Sequence, residues 1–258
     1  MDTENLIKTV RSGLVSESRL DESVGRLLKE KFLLGLFEIP YVDEYRADAV
    51  VNSDEYRALA AQAFRKSIVL MRNDASLLPL RQGAKVFMER LQQPGRNGGT
   101  GHEVLSAQGK GVTFTQSASE ADVAVLWVSP GASSMFSAGG RGPQEVSNLL
   151  SRNGVDVEYV NSISSKMPTV ILVNFSRPWV ISEIENGKDQ TLLATFGTTM
   201  DAVLDVILGE FAPTGKFPFA IPSSQEAVEN NKEDVTGNME PDGYALFKAG
   251  HGISYQAR

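Results

Sequence analysis

Cysteine is absent from these 258 residues, which excludes disulfides and thiolate metal sites and leaves the redox compartment open. Histidine is scarce. His102 and His251 are the only two, too few for a His-rich metal centre, so a metal would have to rest on Asp and Glu, and none is assigned. No apolar run approaches the ~20 residues that span a bilayer. The opening "MDTENLIKTV" lacks the basic and apolar regions of a signal peptide, so the chain as written is expected to stay where it is made. A G-x-S-x-G elbow is missing, and neither histidine has a local signature for a Ser-His-Asp arrangement. Excess positive charge is missing too. The net charge of -7 and pI near 5.0 provide no field for nucleic acid or an anionic membrane, and neither is expected as a partner.

What is present is an ordinary globular composition, 41% hydrophobic and 22% charged, which argues against global disorder. A chain of this length buries roughly 70 to 75% of its unfolded surface, enough for one main core with an added arm. The first third reads as helices. "SRLDESVGRLLKEKFLLGLF" opens with Ser18 as N-cap and aligns Leu20, Val24, Leu27, Leu28 and Leu34. "EIPYVD" ends it, and a second helix follows from Ser53 with Tyr56, Leu59, Ala60, Ala63 and Phe64 in step. Both stripes are expected to face a core.

From Ser67 the pattern changes to short apolar runs: "SIVLM", "AKVFM", "GVTFT", "DVAVLWV", "TVILVN" and "TLLATF". Continuous rather than alternating runs fit strands covered on both faces. Helices are expected at 143–151, 178–186 and 199–208. The fold class is therefore α/β, a mainly parallel doubly wound sheet in a three-layer α/β/α sandwich, with a helical N-terminal arm. The boundaries are residues 1–66 for the arm and 67–258 for the sandwich. The Gly- and Gln-rich stretch from Met88 to Gly111 reads as a loop around a short helix, and the polar tail from Gln225 to Gly243 as a surface excursion.

The stretch "GEFAPTGKFPF" superficially offers a phosphate-gripping Gly-Lys pair. Its spacing is one residue longer than a P-loop allows, Phe217 stands where the Mg2+-binding hydroxyl belongs, and a helix rather than a strand precedes it. A helix stopped at Gly209, with Pro213 and Gly215 turning the chain, accounts for it. "GRNGGTGH" does not fit the dinucleotide fingerprint either.

In a doubly wound sheet, ligands sit beyond the carboxyl ends of the strands. That places Arg72 to Asp74, Ser129 to Gly142, Ser176 to Trp179 and Gly197 to Asp201 on one candidate surface. Arg177 offers a bidentate donor and Trp179 a flat apolar platform, a pairing suited to a sugar. The alternative is that Pro178 occupies the first helical position, with Trp179 packed under the helix and Arg177 capping a loop. Asp201 is a candidate ligand contact or a first-turn carboxylate favoured by the helix dipole. Glu145 is the one acid singled out, as a candidate acid/base group or a solvated helix-start glutamate.

Five blocks then appear in order: "RLLKEKFLLGLFEIPYVD", "RALAAQAFRKSIVLMRNDASLLPL", "ADVAVLWV", "GEFAPTGKFPFAIP" and "LFKAGHGISY". Together they cover nearly the whole chain and resemble the second domain of glycoside hydrolase family 3, the β-glucosidase family. The resemblance implies an α/β sandwich packed on a (β/α)8-type barrel that carries an aspartate nucleophile. In many members the second domain lends a general acid/base glutamate from a loop. It further implies retaining hydrolysis of β-glycosidic bonds without a cofactor.

The sequence departs from that pattern in two ways. The helical arm begins about where the barrel should have ended, so the nucleophile is absent. The loop "SPGASSMFSAGGRGPQEV" also lacks the acidic pattern expected of the acid/base loop. The expected role is a second domain or subunit that completes a barrel's active site and is inactive alone, with the barrel in the same precursor or in a separate subunit, and carbohydrate as ligand. The alternatives are a non-catalytic carbohydrate-binding or protein-interaction module, and an enzyme with its own carboxylate pair that includes Glu145. Family members are often exported, so localisation stays open, a periplasmic or extracellular site included.

Overall fold

The computed structural model describes residues 3–51, 53–93, 101–108, 110–131, 147–185, 190–231 and 243–257. The chain divides into two compact units, Met1–Arg57 and Ala58–Arg258.

The first unit is helical: α1 (Thr3–Arg11), α2 (Glu17–Leu33), α3 (Glu44–Val51) and the start of α4 (Asp54–Lys66). Ser16, not Ser18, caps α2, its hydroxyl accepting from the Arg19 N–H at 3.2 Å. Ser53 caps α4 in the same way through the Tyr56 N–H. No residue of α1 to α4 is fully buried, so the expectation that both stripes face a core is not met by the first stripe and is met in the second by Phe64, which packs half-buried on the sandwich core. Amphipathic spacing reports that a face is apolar, not which body covers it.

The second unit holds β1 (Val69–Asn73), β2 (Lys85–Gln92), β3 (His102–Leu105), β4 (Thr113–Phe114), β5 (Val123–Ser129), α5 (Val157–Ser164), β6 (Thr169–Asn174), β7 (Thr191–Thr195), α6 (Met200–Ile207), β8 (Ile221–Pro222), α7 (Gln225–Glu229) and β9 (Ala245–Phe247). The main sheet runs β1-β7-β6-β5-β2-β3, with β4 also on β2, while β8 and β9 pair separately. β2, β5, β6 and β7 are mutually parallel, and the two outer strands β1 and β3 run antiparallel to them.

The continuous apolar runs do what that pattern requires. Along β5, Ala124, Leu126 and Val128 enter one core, while Val123, Val125 and Trp127 enter the other. On the first face Val160 of α5 joins Trp179, Ile181 and Ile184. Val203, Leu204 and Ile207 of α6 cover the second, with Phe64 of α4 partly buried beside them. The result is the expected three-layer sandwich with helices on both faces of a mixed sheet.

Three local expectations change. "HEVL", expected in a loop, is strand β3, paired antiparallel with β2 from Met88–Leu105 to Leu91–His102. The helix expected at 178–186 does not form among the described residues. The Val180 N–H instead bonds the Asn148 carbonyl at 2.8 Å, and Glu183 accepts from the N–H groups of Leu150 and Ser151 at 2.5 and 3.2 Å. The Val180 N–H is thus spent on the neighbouring segment, and what forms among the described residues is a single turn, with the Glu185 N–H on the Ile181 carbonyl at 3.0 Å. Of the helix expected at 143–151, residues 143–146 lie outside the described structure and 147–150 are non-helical. The helix on that side is α5, capped by Asp156, whose carboxylate accepts from the Tyr159 N–H at 2.9 Å.

Candidate functional site

The four parallel strands end at Gln92, Ser129, Asn174 and Thr195, and the segments that follow them form the candidate edge. Because β1 is antiparallel to β7, Asn73 lies opposite Thr191, at the start of β7 rather than its end. Arg72, Asn73 and Asp74 therefore leave the candidate surface for the opposite edge. There Arg72 pairs with Glu185 and, at 3.5 Å, with Asp74. Asn73 clamps the Leu78 backbone through bonds of 2.9 and 3.1 Å.

At the carboxyl edge the geometry centres on Asn174, the last residue of β6. Its side-chain oxygen accepts from the Gly197 N–H at 2.9 Å and the Thr195 hydroxyl at 3.3 Å, tying the loop after β7 to the loop after β6. Its backbone oxygen accepts from Trp179 Nε1 at 3.1 Å. Trp179 is fully buried, so the indole is not open as a sugar platform. Above it lies Arg177, its guanidinium carbon 5.0 Å from the ring centre and its side chain part-exposed. Pro178 opens no helix. Its carbonyl accepts from Asn148 Nδ2 at 2.9 Å.

Asp201 is exposed in the first turn of α6, behind Thr199, whose hydroxyl accepts from the Ala202 N–H. It joins Asp205 and Glu210 in raising the Lys110 ammonium above its ordinary range, chiefly through the hydrogen bond from Lys110 to Asp205 at 3.1 Å. Glu145 lies outside the described residues.

Beside Gly197 an aromatic cluster forms that sequence reading did not assemble. Phe196 stands 6.0 Å from Phe175, 6.2 Å from Phe217 and 6.2 Å from Phe219. Phe175 and Phe217 are buried, while Phe196 and Phe219 are half-exposed. The signal was present in "NF", "TF" and "KFPF", but only the topology brings three separate runs together.

Both histidines serve the fold. His251 bonds the Met71 carbonyl at 2.8 Å and stacks 4.8 Å from Phe247. His102 meets the buried Glu89 carboxylate at 3.3 Å and the Tyr159 ring at 4.7 Å. Tyr159 donates to Glu89 at 2.7 Å, and burial and that hydrogen bond push its phenol above the ordinary range. Among the described residues no three acidic or histidine side chains group as a metal site.

Two hollows of about 550 and 520 Å3 lie at the opposite edge, sharing Ala75, Leu77 and Pro168. Their charged groups are Lys166 in one, and Arg81 with Asp122 in the other. The Lys85 N–H and Arg81 each donate to Asp122 at 2.9 Å, and the backbone bond first, then the guanidinium, hold the Asp122 carboxyl below its usual range. These two hollows lie away from the carboxyl ends of the parallel strands, and topology places the candidate site at those ends.

The comparisons agree with this architecture. Residues 68–255 match the model of the glycosyl hydrolase family 3 C-terminal domain. The "Probable beta-glucosidase C" of Aspergillus flavus is 36% identical over 98% of this chain, and the match takes in 38% of that protein. The "Periplasmic beta-glucosidase/beta-xylosidase" of Dickeya chrysanthemi is 31% identical over 98% of this chain and 37% of its own length. The chain thus spans less than two-fifths of the curated relatives it matches. The β-glucosidase of Listeria innocua solved with glucose superposes with a TM-score of 0.63 at 22% identity, covering 97% of this chain and 40% of that one, which establishes the shared fold. The chain belongs to glycosyl hydrolase family 3, with residues 68–255 forming its C-terminal domain.

Proposed function

We propose that this chain is the second domain or subunit of a β-glucosidase of family 3, one that docks on a (β/α)8 barrel and forms part of the wall of its sugar site. The observation that carries the reading is a match to β-glucosidases along 98% of this chain that takes in only 38% of the relative. Retaining hydrolysis needs two carboxyl groups roughly 5 to 5.5 Å apart, one attacking the anomeric carbon while the other protonates the departing oxygen. Water activated by the second group then releases the sugar from the glycosyl-enzyme. The edge of this domain supplies polar groups and aromatic surface, but its described residues offer no pair assigned to this work: Asp201 is exposed beside the Lys110, Asp205 and Glu210 charge group, and Glu183 accepts from the Leu150 and Ser151 N–H groups. The barrel would bring the nucleophile.

In this arrangement Arg177 faces sugar hydroxyls, and Trp179 acts as a positioning residue whose ring supports the guanidinium from below. Asp201 is a second candidate contact. Glu145 is the acid/base candidate within this chain.

The test is hydrolysis of a chromogenic aryl β-glucoside by the purified chain, alone and with the N-terminal part of a family 3 β-glucosidase. The expected result is turnover only in the mixture. Turnover by the chain alone, abolished by Glu145→Gln, would move the active site into this domain. Sugar binding without turnover in either case would favour a non-catalytic carbohydrate module.

A further inference from the structure

Arg177 sits on a stretch of chain with no regular structure of its own. β6 ends at Asn174, and residues 176–179 belong to no helix or strand. A guanidinium recognises hydroxyls through a planar fork of N–H groups, so it serves a ligand only if the backbone beneath it is fixed.

Two of the bonds that fix it converge on one residue. Asn148 Nδ2 donates to the Pro178 carbonyl at 2.9 Å, and the Asn148 carbonyl accepts from the Val180 N–H at 2.8 Å. Asn148 thus grips the chain on both sides of Trp179, and Leu149 and Val180 form a parallel bridge beside the grip. Pro178 passes the constraint back to Arg177. Its ring fixes its own φ at about −65° and pushes the residue before it into extended backbone.

Asn148 is held in turn. Its N–H donates at 2.9 Å to Oε1 of Gln225, the first residue of α7, whose Nε2 reaches Glu229 at 3.2 Å. The carbonyls of its neighbours Ser147 and Leu149 accept from Asn153 Nδ2 at 2.9 and 2.6 Å. Asn153 is only 6% exposed, and its own carbonyl accepts from the Gly131 N–H at 2.9 Å, just past the end of β5. The backbone around Arg177 is therefore braced against α7 and against the exit of β5, and both braces run through the segment that carries Asn148.

We infer that Asn148 is a positioning residue for the glycoside: it sets the angle at which Arg177 meets the sugar hydroxyls without touching the sugar itself. The inference rests on the reading of Arg177 above and deepens it. A contact made alike before and during bond cleavage changes KM and spares kcat. A merely structural role would act differently, reducing the amount of competent complex and so kcat, with KM unchanged.

The experiment measures steady-state hydrolysis of the aryl β-glucoside by the whole chain mixed with the N-terminal part of a family 3 β-glucosidase. The chains compared are unmodified, Asn148→Ala, Arg177→Ala and the double variant. The expected result for Asn148→Ala is a KM raised about three- to tenfold, the worth of one hydrogen bond, with kcat within a factor of about two. In the Arg177→Ala background the same change should leave KM where Arg177→Ala alone puts it. Gln225→Ala keeps the Asn148 side chain and loosens only its backbone. It should raise KM less, again only while Arg177 is present, and it decides the matter if urea unfolding shows that Asn148→Ala does not fold. An unchanged KM, or a rise that adds in full to that of Arg177→Ala, would overturn the inference and leave the barrel reading standing. An unmodified mixture without turnover would overturn the barrel reading and the inference with it.

Discussion

Arg177 and Trp179 are two residues apart in sequence and stacked in space, the guanidinium carbon 5.0 Å from the centre of a fully buried indole. Their roles therefore separate. Trp179→Ala should cost about 3 to 5 kcal/mol by opening a core cavity, whereas Arg177→Ala, at a part-exposed side chain that leaves no core cavity, should cost less. In the barrel complex, Arg177→Ala should raise KM for the aryl glucoside. Urea unfolding and steady-state kinetics check the pair, and a large stability loss in the arginine variant would contradict the assignment.

Asn174 joins two loops of the edge through the Gly197 N–H and the Thr195 hydroxyl. Asn174→Leu strands both donors and should destabilise by roughly 1 to 3 kcal/mol. Asn174→Asp keeps the acceptor and should lose less. Equal losses in chemical denaturation would mean that the acceptor is not what matters.

Asp205 binds Arg65 at 3.0 Å and Lys110 at 3.1 Å. Burial pushes its carboxyl up, but the two cations outweigh burial and hold it below its ordinary value of 3.8. Its stabilising contribution is thus complete above that value and lost as pH falls through the lower folded value. The Lys110 ammonium is raised above 10.5, so its contribution is complete below 10.5 and lost as pH rises through the higher folded value. Asp205→Asn should lower stability at neutral pH and flatten both limbs of a stability-against-pH curve. Parallel curves for the two proteins would refute this.

Gly215 lies where the chain passes the end of α4. A side chain there would meet the Ile68 backbone, with the carbonyl carbon 2.8 Å away and the oxygen closer still. Gly215→Ala must therefore shift backbone and should lower the melting temperature by several degrees, a loss of more than ~1 kcal/mol. Gly197 has open space around it but φ of +71°, so Gly197→Ala should cost only the left-handed strain of ~1 kcal/mol. Differential scanning calorimetry ranks them, and the reverse order would contradict the close-approach account.

Much of the sandwich was legible because burial on both faces leaves a plain trace. "DVAVLWV", "TVILVN" and "TLLATF" carry scarcely a polar residue, and each became an inner strand. Strand direction leaves no such trace. "SIVLM" looks like the others, but its antiparallel pairing moved Arg72 to Asp74 to the wrong edge for the site. The edge strand "HEVL" was hidden by three residues facing water to varying degrees after a glycine-rich run. At 178–186 the helical spacing was genuine, but Val180 and Glu183 were already committed to 148–151, a tertiary demand that local propensity cannot express.

The site was less legible than the fold. Arg177 and Trp179 were found as a pair, and of the two roles open to the indole, platform or packed residue, its burial fits the second. The phenylalanines at 175, 196, 217 and 219 went unnoticed, because their adjacency arises from the neighbouring strands β6 and β7 and a later turn. The helical stripes were seen correctly as apolar, yet spacing alone does not name the surface that covers them.

The most direct measurement is hydrolysis of the aryl β-glucoside as this chain is titrated into a fixed amount of the separately produced N-terminal domain. The account predicts background rates for each component alone and turnover that rises and saturates at one-to-one stoichiometry. No gain at any ratio, or turnover by this chain alone that one carboxylate substitution abolishes, would contradict it.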